Sequence, residues 1–215
     1  AGLKIYATGR PIIEEQLRRG LGRDVRVFFS LVILVVIVLL FLIFRSLRGI
    51  LLPFTVVILS VLWTFGFMAL THIPFSHSTE FLPVLLISIG IADGIHILHA
   101  YYHRRREISE KRELVLETMR DLNLPVIMTS LTTAVAFLSL GFAGFLSLKQ
   151  LGVTVAFGTI VAMFFSLYFI PATLALLSLP KKAISESHLR IFHKFLVKGG
   201  RNIVLRKSVS LLILG

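Results

Sequence analysis

The sequence predicts an all-α membrane protein, a polytopic bundle of five full transmembrane helices with an interfacial amphipathic helix after them. Three observations carry this. Of the 215 residues, 56% are hydrophobic, against roughly 45–50% in average soluble domains. The apolar residues come in long charge-free runs, Val27 to Phe44, Gly49 to Thr79, Leu122 to Leu148 and Gln150 to Pro180. Each is as long as the roughly 18–20 residues that cross a ~30 Å hydrocarbon layer. Finally, the formal charge of +12 sits mostly beside these runs, where basic residues fix the orientation of a membrane protein. That placement argues for a lipid bilayer as partner and against nucleic acid. With no cysteines, disulfides and thiolate metal sites are excluded.

The chain opens with "LKIYATGRPIIEEQLRRGLGRD", a brief strand-like stretch, a Gly-Arg-Pro turn and a polar helix. Residues 1–24 are too few to fold alone, so they are expected to be the tail of an extracytoplasmic domain. The first span is then expected at about 27–44 and the second at about 50–72, joined tightly through "RSLRG". The third, about 81–103, has Asp93 as its one formally charged residue. The fourth, about 124–147, and the fifth, about 151–178, are expected to form a hairpin turning at "SLKQ". Residues 25–180 thus make the five-helix bundle. Pro53, Pro83 and Pro125 fall near span ends, and Pro171 well inside the fifth span, where it should kink the helix or be compensated by a neighbour.

Between the third and fourth spans, "RRREISEKRELVLETMRD" carries six basic and five acidic residues. Leu114, Leu116 and Met119 allow a short amphipathic helix, but a solvated charged connector is the preferred reading. Beyond the last span, residues 181–215 begin with a surface helix. Leu189, Phe192, Phe195 and Leu196 share one face, opposite Arg190, Lys194 and Lys198, a pattern that lies in the headgroup plane. The closing "SVSLLILG" reads as the start of a further span. Arg45, Arg48, six basic residues between 104 and 120 and eight from Lys181 onward make 16 on one side, against 7 on the other. The positive-inside rule puts the C-terminal segment in the cytoplasm and the N-terminal segment outside.

Asp93 needs a reason to be where it is. It lies near the middle of its span, where an Asp costs roughly 2.5–3.5 kcal/mol on insertion scales and marks a functional group by default. A carboxyl that is neutral when dry and ionised when wetted can carry a proton. Thr129, Thr132 and Thr133, spaced i, i+3, i+4, share a face of the fourth span at the same depth, and are expected to solvate the ionised form. His96, three residues from Asp93, is expected to relay the proton toward the cytoplasm. His99 and His103 approach the interface and read as anchors. The His-x2-His-x3-His spacing resembles a metal motif, but no second histidine cluster stands on the same side. No metal and no cofactor are expected, and no enzymatic activity.

These residues carry a resemblance. "GIADGIHILHAYY" resembles the fourth span of resistance–nodulation–division (RND) transporters, in the MMPL branch that includes mycobacterial large membrane proteins and hopanoid-type lipid exporters. "PVIMTSLTTAVAFLSL" is similar to the fifth span of that family, and "LGVTVAFGTIVAMFFSLYFIPATLALL" to the sixth. "FRSLRGILLPFTVVILSVLWTFGFMAL" is similar to its second-to-third hairpin. The resemblance implies a proton-driven exporter of hydrophobic or amphiphilic, lipid-like molecules in a bacterial inner membrane. Asp93 takes the proton-relay role, and a second transmembrane half lies elsewhere in the same polypeptide. A homo-oligomer is compatible with it. One departure stands out: many relatives have Asp-Tyr where this chain has Asp93-Gly94.

The same five-helix pattern occurs in sterol-sensing domains of Patched-like proteins, so the alternative is a lipid-binding or regulatory module that does not pump. A membrane histidine-iron oxygenase needs more histidines on one face. A protein-translocase accessory of the same superfamily needs Asp-Ala-Asn after the carboxylate, which is absent here.

Overall fold

The computed structural model describes residues 10–76 and 79–177, with side chains from residue 27 onward. Five helices carry the fold: α1 (Arg10–Phe44), α2 (Leu47–Leu70), α3 (Leu82–Arg104), α4 (Lys111–Leu138) and α5 (Leu146–Leu176). Single 3-10 turns, Thr79–Phe81 and Ser139–Phe142, precede α3 and follow α4. There is no strand among the described residues. All five helices are long and apolar enough to cross a membrane, so the protein is a helical membrane bundle.

Two joints decide how tightly the helices turn. Between α1 and α2 only Arg45 and Ser46 intervene. Arg45 takes the left-handed conformation with φ 46°, and the Gly49 amide donates to Ser46 Oγ at 3.1 Å, capping α2. Between α4 and α5 the turn comes earlier than predicted. It runs through Ser139–Phe145, and "SLKQ" is already the first turn of α5. A single Lys among good helix formers does not stop a helix, whereas Gly141 and Gly144 do. Of the four glycines in this hairpin only Gly152 meets α4, where a Cβ would strike the Phe137 carbonyl; Gly158 faces Leu86 and Thr64 instead.

The charged connector is also helical. Only Arg105–Glu110 separate α3 from α4, and α4 runs on from Lys111 into the fourth span as one helix. This corrects the preferred reading of a solvated connector, and the boundary of the fourth span with it. Leu114 is buried and Leu116 exposed, so they do not share an apolar face. Leu114, Thr118, Val126, Ser130 and Ala134 form the buried stripe of α4, at spacings that are multiples of four. Pro125 therefore lies inside α4 rather than at its end, and Pro171 inside α5, with each helix continuing past it. The polar helix predicted before the first span joins α1 without interruption from Arg10. The expected surface helix from Glu186 to Lys198 and the further span from Ser208 lie outside the described residues.

In the packing, α5 contacts α2, α3 and α4, and α3 contacts α2, α4 and α5, while α1 rests on α2 and α3. The helices alternate in direction, so α3 and α5 run parallel. Leu82, Leu86, Met68 and Val155 form a core toward the end where α3 begins. Leu34, Phe41, Leu62, Trp63, Val135 and Phe164 are all exposed. Such surfaces are too apolar for water and suit hydrocarbon.

Candidate functional site

The centre of α3 is set by close packing on one side. Gly94 lies against α2, where a Cβ would stand 2.8 Å from Pro53 Cβ. No side chain fits without moving Pro53, which gives the Asp-Gly departure a physical reason. A tyrosine at position 94, which the resemblance would lead one to expect, has no space in this packing. The neighbouring Asp93 is turned the other way, toward α4.

Asp93 stands eleven residues from either end of α3, about 16 Å at 1.5 Å per residue. It is buried, 7% exposed, and so is Ser130 at 2%. Ser130 Oγ donates to Asp93 Oδ2 at 3.2 Å. Among the described residues no ion pair reaches this carboxyl. It can bind or release a proton without breaking a salt bridge.

The threonines predicted to solvate Asp93 do not reach it. Thr129 donates to the Pro125 and Val126 carbonyls at 3.0 and 3.1 Å. Thr132 donates to Met128 and Thr129 at 2.9 Å each, and Thr133 to Thr129 at 2.7 Å. Thr129 and Thr132 are exposed and Thr133 half-buried. One residue is 100° of helix, and the face of α4 that meets Asp93 is that of Ser130. The sequence signal lay in the stripe Val126, Ser130, Ala134, whose four-residue spacing continues the buried Leu114 and Thr118.

His96 is exposed and makes no hydrogen bond among the described residues. Ser88, Ala92, His96, His99 and His103 make an exposed stripe of small and polar residues along α3. The His99 and His103 rings stand 6.4 Å apart. Among the described residues no group of three metal-ligating side chains forms. At the basic end, Arg104 pairs with Asp121 and with Glu117, at 3.7 Å for the latter, and donates to the Glu117 carbonyl at 3.2 Å. These contacts fasten the end of α3 to α4. Nearby, Tyr102 Oη and Ser46 Oγ are 3.2 Å apart, which ties α3 to the α1–α2 joint.

Comparison with known proteins fits this arrangement. The family model described as "MMPL family" matches residues 1–197. Among curated proteins the chain is similar to a membrane protein of Methanocaldococcus jannaschii, 29% identical over 81% of this chain and 45% of that protein. It is also similar to the siderophore exporter MmpL5 of Mycobacterium tuberculosis, 30% identical over 82% of this chain and 19% of that protein. The probable transport protein MmpL2 of the same organism is 31% identical, over 80% and 18% respectively. The chain thus spans less than half the length of each of these relatives. It belongs to the MMPL family.

Proposed function

We propose that this MMPL-family chain is one membrane half of a proton-driven exporter of hydrophobic or amphiphilic, lipid-like molecules. Asp93 is the proton carrier, with Ser130 as its hydrogen-bond partner. The observation that carries this reading is the buried carboxyl at mid-depth, bonded to a hydroxyl and without an ion pair among the described residues. The relatives named as an exporter and a transport protein support the transport class. One charge crossing 100 mV is worth ~2.3 kcal/mol, a sufficient scale to bias a conformational equilibrium of a few kcal/mol.

The outward stripe Ser88, Ala92, His96, His99, together with Thr129 and Thr132 on α4, is unlike the Leu- and Phe-rich faces elsewhere. A second transmembrane half packed there covers these polar groups. Arg45, Arg48 and Arg104–Arg106 mark the cytoplasmic end, in a bacterial inner membrane, and the segment before the first span is external.

The test is Asp93→Asn in the full-length protein, reconstituted with an imposed proton gradient. The variant keeps size and hydrogen bonding but cannot ionise, so export of a lipid-like substrate stops while expression and folding persist. Normal gradient-driven export by Asp93→Asn makes the carboxyl structural. The non-pumping, sterol-sensing type of lipid module then takes precedence.

A further inference from the structure

Ser and Thr in membrane helices ordinarily donate to a carbonyl three or four residues back. The buried hydroxyls of this bundle nearly all do so. Ser60 donates to Val57 at 2.9 Å, Thr64 to Ser60 at 2.7 Å, Thr154 to Gln150 at 2.8 Å and Thr159 to Val155 at 2.8 Å. Ser130 is turned instead to Asp93. Ser166 of α5 does neither. Its side chain is fully buried, and its hydroxyl is without a hydrogen-bond partner among the described residues. A buried hydroxyl with no partner is destabilising, so its surroundings need a reason.

The register of the two parallel helices places it. A Cβ on Gly158 of α5 would meet Leu86 Cδ2 of α3 at 2.6 Å, and a Cβ on Gly90 of α3 would meet Ala162 Cβ of α5 at 3.7 Å. Residues 86 and 90 of α3 thus stand level with 158 and 162 of α5. One further turn, about 6 Å, makes Gly94 level with Ser166, and Asp93 is its neighbour. Azimuth agrees with depth. Asp93 is seven residues after Leu86, which returns it to within about 20° of the same face. That is the face Leu86 presents to α5. Where α3 brings Asp93 round to this side, the fully buried residue of α5 is Ser166.

We propose that Ser166 is the third member of the Asp93 site, and that its hydroxyl is turned to a water molecule shared with the carboxyl. The ligand is water, and the site rests on the proton-carrier reading above. Ser130 and Ser166 supply hydroxyls from two different helices, which suits a water that needs two to four polar partners. On release, the proton passes from the carboxyl to this water, giving hydronium and carboxylate; on uptake it returns. Ser166 is therefore a positioning residue, acting on Asp93 through the water.

The chain has no cysteine, so a thiol introduced at this position reports on local hydration. In the full-length protein, with any cysteines elsewhere replaced, Ser166→Cys is treated in membranes with methyl methanethiosulfonate and read by intact mass. The thiolate is the reactive form, and it needs water. Ser166→Cys is expected to react about tenfold or more faster than Ala162→Cys and Ile170→Cys, which flank it by one turn and are equally buried. Inertness equal to those two overturns the proposal. Should Ser166→Cys fail to fold, Ser166→Ala decides instead. A displaced pH profile of transport, restored by Ser166→Thr, supports the water, and an unmoved profile overturns it. The labelling is independent of pumping. Normal transport by Asp93→Asn therefore sinks the proton carrier and leaves the hydration result standing by itself.

Discussion

The α3–α4 pair has an inner and an outer face at the same depth, and they use the same chemical groups in opposite ways. Inside, Ser130 gives its hydrogen bond to Asp93 across the helix boundary, and Gly94 lets α3 press on Pro53. Outside, Thr129, Thr132 and Thr133 return their hydroxyls to carbonyls of their own helix, and His96 points away from the bundle. A hydroxyl's task here is therefore set by which way it faces, not by how deep it lies. The inner groups are committed to contacts made by this chain. The outer ones remain available to whatever covers them.

The largest effect expected from breaking this contrast is at Gly94. Gly94→Tyr restores the dipeptide found in related spans, but on the inner face it drives a ring into Pro53. Overpacking of this kind costs about 1–3 kcal/mol or more, so the variant should be lost as aggregate in detergent size-exclusion chromatography. Gly94→Ala should show a milder decline in thermal stability. A well-folded, transporting Gly94→Tyr means that the inner face is loose, and the contrast with the outer face fails.

Ser130→Ala comes next. It removes the donor to Asp93 and leaves the carboxyl short of a partner inside the bundle, a deficit of roughly 1–3 kcal/mol. Gradient-driven transport by the full-length protein should fall several-fold without being abolished, and Ser130→Thr should recover most of it. If Ser130→Ala behaves like a substitution on the outer face, the inner hydrogen bond carries no functional weight.

The fold was easy to read from the sequence because hydrophobic length is a one-dimensional signal. Four charge-free runs and the stretch around Asp93 are all it takes to find five spans. Asp93 was legible for a similar reason, since a lone carboxylate in such a stretch is conspicuous by its cost. Rotation was harder. Three threonines at i, i+3, i+4 look like a solvating face, and nothing local shows that they will satisfy themselves. Ser130 was hidden between them because its meaning depends on which stripe meets α3. The extent of α4 is less legible, because a run of charges at a span end gives no local sign of whether the helix continues. Lys111 to Asp121 alternates charges with Leu114, Leu116 and other good helix formers, and such a segment continues a helix beyond the membrane at little cost. Ser166 gave no sequence signal; only burial without a partner singles it out.

A smaller effect is expected at the basic end, where Arg104 fastens α3 to α4. Its contacts with Glu117 and Asp121 are partly exposed, and pairs of this kind contribute about 0–1 kcal/mol. Arg104→Gln should lower thermal stability by no more than that, and the difference should shrink in high salt. A larger, salt-independent loss would mean that the end of the pair, and not its inner middle, holds α3 against α4.

The smallest effect belongs to Thr132→Val, and it tests the outer face directly. Valine keeps the shape of threonine and loses the hydroxyl. In this structure that hydroxyl serves only the Met128 and Thr129 carbonyls, both already engaged by helical geometry. Substitutions of this sort away from a packed contact lie within about 0.5 kcal/mol, so melting of the full-length protein should be unchanged within error. Transport should also be close to normal, because neither Asp93 nor Ser130 loses a partner. A collapse of transport at unchanged stability would reverse the assignment of the two faces. The route of the proton would then run along the outward threonines and His96, with Asp93 and Ser130 as a structural pair beneath it.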